Sequence, residues 1–288
     1  MYMSKKVFAA VEDQVLQLVE KGGLMPWQKP WKSDGSMESM LPVNGCTGKI
    51  YTGTNTFLLN FVGMARGFAS NQWAGFGQWK KKGYSVRKGE RSTAILAPIF
   101  RKVIDPDTKK EEEKLVAFRY VRVFNICQTT AQIEPEEESE GEFDPIAEAE
   151  AIVDGYKGPS ITHAGNSAVY SPTRDAVTVP KKDSFKSPQS YYCTLFHELG
   201  HSTGHKSRLN RPGIMKGFLT DAHEYSYEEL VAEFTSCFLG SLCGVFEETK
   251  KNSAAYIKTW LSRLRSEPGW LCKAANDAYK ASNFILSK

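Results

Sequence analysis

The segment that most restricts how this chain can fold is EPEEESEGEFDPIAEAE, residues 134–150. It carries 9 acidic and no basic side chains. A run with that charge, two prolines and little apolar content cannot bury enough surface to fold alone. It divides a chain of 288 residues, a length that suits two domains of ordinary size. We therefore expect an N-terminal domain over 1–133, an acidic linker over 134–143 and a second domain over 144–288 that opens on the helical pattern DPIAEAEAIVDGY. Charge is uneven across that boundary. Residues 1–133 hold 20 basic and 11 acidic side chains, and residues 151–288 hold 17 and 13, within a net charge of +4.

Composition excludes several classes. With 41% hydrophobic and 24% charged residues the chain reads as a soluble, globular protein. It has no apolar run of about eighteen residues, so no membrane span is expected. The stretch MYMSKKVFAAVEDQVLQLVEKG interrupts its apolar positions with charges and is unlike a signal peptide. Six cysteines (Cys46, Cys127, Cys193, Cys237, Cys243 and Cys272) form no CxxC pair. They read as reduced, mostly buried thiols, which points to the cytoplasm.

The N-terminal half is expected to be α+β. Val7, Val11, Val15, Leu16, Leu18 and Val19 recur at helical spacing, with Ser4 as N-cap and Gly22-Gly23 as a stop. Alternation around STAILAPIF and VAFRYVRVFNI predicts paired strands joined by the charged turn DPDTKKEEEK. Between these elements aromatic and basic residues interleave: Trp27, Trp31, Trp73 and Trp79 with Lys80, Lys81, Lys82, Arg87, Lys88 and Arg91. Single-stranded nucleic acid requires such a mixture, because cations follow the phosphates and flat rings accept unpaired bases. No helix-turn-helix or zinc-finger pattern is present. A second reading stands beside this one, in which the tryptophans are core and the lysines an ordinary solvated face.

Three of the five histidines fall within YYCTLFHELGHSTGH, residues 191–205. His197-Glu198-Leu199-Gly200-His201 is an HExxH pentad. On a helix, positions i and i+4 share a face, so both imidazoles can point at one ion and Glu198 stands beside it. Zinc lowers the pKa of a coordinated water to about 7, and Glu198 can accept its proton. Ser187 and Pro188 suit the first helical turn. A catalytic zinc needs a third protein ligand. His205, His163 and His223 are candidates, and so is the helix YEELVAEFTSCFLGSLCG. There Glu229 and Glu233 stand one turn apart among apolar residues. Buried carboxylates of that kind are rare unless paired or bound to metal. We read Glu229 as the ligand, with Glu233 behind it to orient a histidine. Glu228 is the alternative one residue earlier. AVYSPTRDAVTVP, residues 168–180, predicts a hairpin whose edge could receive an extended substrate. Tyr225, Tyr227 and His205 are the candidates for steadying an oxyanion. The C-terminal half should be mainly helical with a small sheet, and the metal is expected to be Zn2+, with Mn2+ an open alternative.

Taken in order, PWQKPW, NGCTGKIYTGTN, QWKKKGYSVRKGER and HELGHSTGH followed by EELVAEF resemble the ArdC family of plasmid-borne antirestriction proteins, over nearly the whole chain. The resemblance implies an N-terminal single-stranded DNA-binding domain and a C-terminal zincin-like metalloprotease domain. It implies a role in protecting incoming conjugative DNA from host restriction. It assigns the metal to His197, His201 and Glu229, with Glu198 as the catalytic glutamate. A protein substrate, whether a restriction enzyme or another DNA-bound protein, is left unspecified. Two functions follow: a DNA-tethered zinc endopeptidase, or a strand-coating protein that acts by occlusion and keeps a structural or vestigial metal site.

Overall fold

The structure is a computed structural model that describes residues 5–22, 41–104, 111–132, 145–214, 222–245 and 261–287. The first helix, α1, spans Lys5–Gly22. Phe8, Val11, Val15, Leu16 and Val19 form its buried stripe, with the spacing of an amphipathic helix. The segment TNTFLLNFVGMA forms α2, Thr54–Ala65. Phe57, Leu58, Leu59, Phe61 and Val62 are all buried, so this helix is apolar around most of its circumference. It lies inside the molecule. Leu59 and Val62 face Trp73, Ile95 and Val123 of the sheet, while Phe57, Leu58 and Phe61 face other helices.

The sheet has four strands in the order β1-β2-β4-β3: β1 Val43–Asn44, β2 Gln72–Ala74, β3 Thr93–Ile104 and β4 Glu111–Asn125. A short helix, α3, Phe76–Lys81, follows β2. The β3–β4 hairpin is longer than the alternation predicts. Glu111–Lys114, expected in the turn, continue the strand and pair with Arg101–Ile104. Opposite charges explain the extension: Lys102 Nζ stands 3.0 Å from Glu111 Oε2, and such cross-strand pairs favour pairing. The outer part of this arm is exposed, including Phe100, Val103, Ile104 and Tyr120.

The free edge of β3 is closed by side chains. The Ala94 N–H donates to Gln14 Oε1 at 2.8 Å, and its carbonyl accepts from Gln14 Nε2 at 3.3 Å. One step on, the Leu96 N–H donates to Asn55 Oδ1 at 2.9 Å, and its carbonyl accepts from Asn55 Nδ2 at 2.7 Å. Pro98, next in the same outward register, has no N–H to offer.

In the second half, α4 spans Pro145–Gly155. A three-stranded sheet follows in the order β5-β7-β6, with β5 Ser160–His163, β6 Val169–Ser171 and β7 Ala176–Val179. β6 and β7 form the expected hairpin, and β5 adds in parallel to β7. SITH has no alternation to announce it. Helix α5 is Pro188–Ser202, α6 is Ala222–Leu242 and α7 is Trp270–Ile285. The six cysteines are unpaired. No described helix is long and apolar enough to cross a membrane.

The two halves share one apolar core. Phe8, Val15, Phe57 and Phe61 pack in the same cluster as Leu230, Phe234, Trp270 and Leu271, and the rings of Phe57 and Phe234 lie 4.3 Å apart. Glu12 of α1 joins them through polar contacts. Its carboxylate accepts from the N–H of Gly269 at 2.7 Å and of Cys272 at 3.3 Å, and so caps the start of α7. Burial raises the Glu12 pKa against the pull of these amide bonds. The expected linker, 134–143, lies outside the described residues.

Candidate functional site

Helix α5 is set by its first turn. Ser187 is the N-cap and accepts from the Ser190 N–H, and Pro188 sits at the start of the helix. His197 and His201 then fall one turn apart, with Nε2 atoms 3.1 Å from each other. Between them Gly200 faces α6. A Cβ there would lie 3.1 Å from Thr235 Cβ and 3.2 Å from Ala232 Cα, so any side chain would press on α6 at this crossing. That crossing delivers Glu229. Its Oε1 lies 3.3 Å from His201 Nε2 and its Oε2 lies 3.6 Å from His197 Nε2. Ligand atoms bound at 2.0–2.1 Å in a tetrahedral site are about 3.3 Å apart. His197, His201 and Glu229 therefore form a donor set able to hold one metal ion. They line a cavity of about 200 Å3 together with Ala168, Val169, Tyr170, Glu198 and Ile214.

A buried carboxylate stands behind the ligands. Glu228 Oε1 is 3.5 Å from His201 Nδ1, at the outer limit of a hydrogen bond. That nitrogen has no hydrogen-bond partner among the described residues. Arg211 grips Glu228 with two bonds, Nε to Oε2 at 2.9 Å and Nη2 to Oε1 at 2.6 Å. The same guanidinium donates to Thr203 Oγ1 and to the Gly200 carbonyl, each at 2.8 Å. Burial works against a charge on His201, yet Glu228 and Glu229 outweigh it and push its pKa up to about 10. Burial would raise Glu229, but the two imidazoles hold it below the usual carboxylate range. Two carboxylates beside two imidazoles whose donor atoms converge suit a cation.

Glu198 points toward β6. Its Oε2 accepts from the Tyr170 N–H at 2.7 Å. The hairpin that supplies this amide is fastened to the chain after α5. Tyr170 OH donates to Asp175 Oδ1 at 2.8 Å, Arg208 Nη1 donates to Asp175 Oδ2 at 2.9 Å, and Arg208 Nε donates to the Ser202 carbonyl at 2.7 Å. β6 is an edge strand of its sheet, and Val169 is exposed beside the cavity.

The other candidates lie elsewhere. His163 Nε2 bonds Tyr191 OH at 2.9 Å, and His205 Nδ1 bonds Ser207 Oγ at 2.7 Å. Tyr227 OH donates to Asp277 at 2.8 Å, so it is committed to α7 and cannot steady an oxyanion. The side chains of His223 and Tyr225 are outside the described residues. Glu233 is buried one turn beyond Glu229, but at His201 Nδ1 the orienting position is held by Glu228. Sequence reasoning weighed Glu228 only as a ligand and passed over Arg211, Tyr170 and Asp175. The adjacency of two glutamates was the one available signal, since the residue before a ligand on a helix can meet the far side of the same imidazole.

On the N-terminal surface the tryptophans require a correction. Trp73 and Trp79 are both fully buried, at 0% exposure, and cannot stack on bases. Trp73 lies in β2 between two neighbouring strands and packs on Phe68. Trp79 donates its indole N–H to the Phe124 carbonyl at 2.9 Å. Trp27 and Trp31 are outside the described residues. The cations behave as expected of a surface: Lys80, Lys81, Lys82, Arg87, Lys88 and Arg91 are all exposed. Two of them are partly committed. Lys82 donates to the Gly45 carbonyl at 2.6 Å, and Arg87 to the Thr129 carbonyl at 3.1 Å. The rings that do reach solvent are Phe76, Phe100 and Tyr120, and Arg101, Arg119 and Arg122 are exposed near them along β3 and β4.

Comparison with known proteins agrees with this arrangement. Residues 5–126 match the family described as the N-terminal domain of anti-restriction factor ArdC, and residues 147–277 match the zincin-like metallopeptidase family. DNA primase TraC of Escherichia coli is 34% identical over 98% of this chain, which spans only 20% of that protein. The uncharacterized protein y4eC of Sinorhizobium fredii is 30% identical, over 97% of this chain and 91% of its own length. The Mn(II)-bound crystal structure of antirestriction ArdC protein from R388 plasmid superposes with a TM-score of 0.73 at 30% identity, covering 98% of this chain and 97% of that one. Its metal-free structure gives a TM-score of 0.72 at 29% identity over the same shares. With both halves matched in order, and with y4eC and the R388 ArdC structures aligned along nearly their full length, the chain belongs to the ArdC family of antirestriction proteins.

Proposed function

We propose that the protein is an antirestriction factor that holds single-stranded DNA on its N-terminal surface and cleaves protein at a divalent-metal centre, with zinc as the metal. The observation that carries the peptidase part is the position of Glu198. It shares a cavity with three convergent donor atoms, and an edge strand lies beside it. His197, His201 and Glu229 hold the ion. Two imidazoles and one carboxylate suit zinc, and they also admit manganese. When bound, the ion supplies Lewis acidity toward a water and a peptide carbonyl. Glu198 accepts the proton of the attacking water and passes it to the leaving amine. The Tyr170 N–H fixes its carboxylate for that task. Arg211 and Glu228 hold the His201 ring from behind. An extended substrate adds along the outer edge of β6, where Glu198 already holds the Tyr170 N–H.

The strand-binding part rests on exposed Lys80, Lys81, Lys88 and Arg91, with Phe76, Phe100 and Tyr120 as the stacking rings. Binding to DNA raises the local concentration of a restriction enzyme or other DNA-bound protein at the peptidase site. The test is Glu198→Gln in a conjugation assay, with metal content and single-strand affinity measured in parallel. The expected result is one zinc per chain, unchanged DNA affinity and loss of protection. Protection retained in that variant would assign the activity to occlusion instead.

A further inference from the structure

A second cavity, of about 420 Å3, opens where α1, α2, the β3–β4 arm and α7 meet. Its size falls in the range of roughly 300–1,000 Å3 typical of small-molecule sites. Phe8, Leu96, Pro98, Phe118 and Tyr279 supply an apolar and largely aromatic lining. The polar lining comes from Thr52, Thr54 and Asn55 at the start of α2 and from one stripe of α7: Lys273, Asn276 and Lys280. Spacings of three and four residues place the α7 side chains on a single helix face. Lys273 and Lys280 are exposed at the rim, Lys280 with Asp277 Oδ1 at 3.3 Å from its Nζ, and no carboxylate lines the cavity itself among the described residues. The beginning of α2 closes one side through Gly53, Thr54 and Asn55. Gly53 has φ +61, and a Cβ there would lie 2.8 Å from Asn276 Oδ1, so glycine leaves the amide room. Thr54 Oγ1 donates to the Cys272 carbonyl at 2.7 Å and holds this loop against α7. The first turn of α2 has no acidic residue, so its positive end adds to the field of the two lysines.

We propose that this cavity binds one nucleotide unit, with the base among the rings and the phosphate at Lys273 and Lys280. A purely apolar ligand would have no use for the Lys-Asn-Lys stripe, and a bare anion no use for the rings. A nucleotide uses both, and its base edge can be read by Asn276. Continuity with the exposed surface points to a strand as the source. Phe118 lines the cavity, and Tyr120, two residues on along β4, is exposed. Alternate residues of a strand share a face, so a DNA strand stacked on Tyr120 can turn its next base into the cavity. The site deepens the single-strand reading above and rests on it. It also lies on the shared core, so the bound nucleotide would touch both family-matched halves.

The experiment measures the affinity of the full chain for a 3′-labelled dT12 by fluorescence anisotropy. Wild type, Lys273→Glu, Asn276→Trp and the remote control Lys157→Glu are compared, with melting temperatures recorded for each. We expect about tenfold weaker binding in Lys273→Glu and in Asn276→Trp, which fills the cavity, and no change in the control. A dT12 carrying 5-iododeoxyuridine should cross-link to Phe118 or Tyr279. If Asn276→Trp fails to fold, Lys273→Glu and the cross-link decide. Wild-type affinity in Lys273→Glu, or cross-links confined to other residues, would overturn this site while leaving strand binding intact. No binding of dT12 by wild type would remove the single-strand reading itself. Displacement of dT12 by dTMP, reduced in Lys273→Glu, would keep the site and name the free nucleotide as a second source.

Discussion

The metal cavity and the basic N-terminal surface are built on opposite terms. At the cavity a few side chains from three elements converge within hydrogen-bonding distances, and most are buried. Arg211, Glu228 and His201 are each under 10% exposed. On the N-terminal surface the relevant groups are many, solvated and loosely constrained. The first kind of site is fixed by spacing along a helix and by a glycine that lets two helices touch. The second is fixed by which residues end up outside, and neighbours far away in sequence decide that. One consequence is energetic. Changes at the cavity should act through single contacts and be large, whereas changes on the surface should be small and additive.

That contrast can be broken in several ways, of which the largest expected effect is on catalysis. Glu198→Gln should lower hydrolysis of fluorescent casein by about 10²–10⁴-fold, the usual contribution of a general acid–base group. Its melting temperature should stay unchanged, because the amide oxygen can still accept from Tyr170. Retained hydrolysis would remove Glu198 from the chemistry. Next, Glu228→Ala should cost about 3–5 kcal/mol in denaturant unfolding, because it leaves the Arg211 guanidinium buried without its partner. A small loss would show that water reaches that pair and that the cavity is less closed than the distances imply. The third test crosses the two regions. Trp73→Ala should destabilise the fold by about 3–5 kcal/mol, while Tyr120→Ala should leave stability intact and weaken single-strand binding by about 1–3 kcal/mol. An affinity loss in a fully folded Trp73 variant would return that ring to the binding face. Replacing Lys80, Lys81 and Lys88 with Ala should flatten the salt dependence of binding by about 0.7 in log–log slope for each phosphate no longer neutralised. An unchanged slope would place the strand elsewhere.

The smallest effect is one of pH. The Arg208 guanidinium holds the Asp175 carboxyl down at about 2, below its ordinary 3.8. A depressed acid contributes stability that is present above its unfolded value and lost as pH falls through its folded value. Asp175→Asn should therefore melt slightly below wild type at pH 7, and the difference should vanish between about pH 4 and pH 2. Asp175 is partly exposed, so solvent limits the effect. A difference that persists at pH 2 would mean the variant disturbs the turn, where Asp175 takes φ 48, and not the charge.

How much of this was legible beforehand follows the same contrast. His197, His201 and Glu198 could be read from five residues, because helical geometry is local. Glu229 could be read because a carboxylate in an apolar helix needs a reason. Arg211 could not, since nothing in RLNRPG distinguishes a guanidinium that reaches back to Glu228. The tryptophans were misplaced because composition counts rings without saying which ones the sheet covers. The hairpin was foreshortened at EEEK because charged residues suggest a turn until their partners on the facing strand are known. The edge seal by Gln14 and Asn55 had no local signature, since each amide pairs with a strand distant in sequence.

The Glu12 cap on α7 bears on how the chain comes into being. The bond joins residues 257 positions apart, and the core beneath it needs Trp270 and Leu271 of that same helix. During synthesis α1 and α2 therefore emerge long before the surface that buries them. The first half must wait, partly unsheltered, until the ribosome has released α7. Contacts of such separation slow folding and lengthen exposure to proteases and aggregation. Cutting the gene between its two family-matched parts would leave the N-terminal fragment with its greasiest face open.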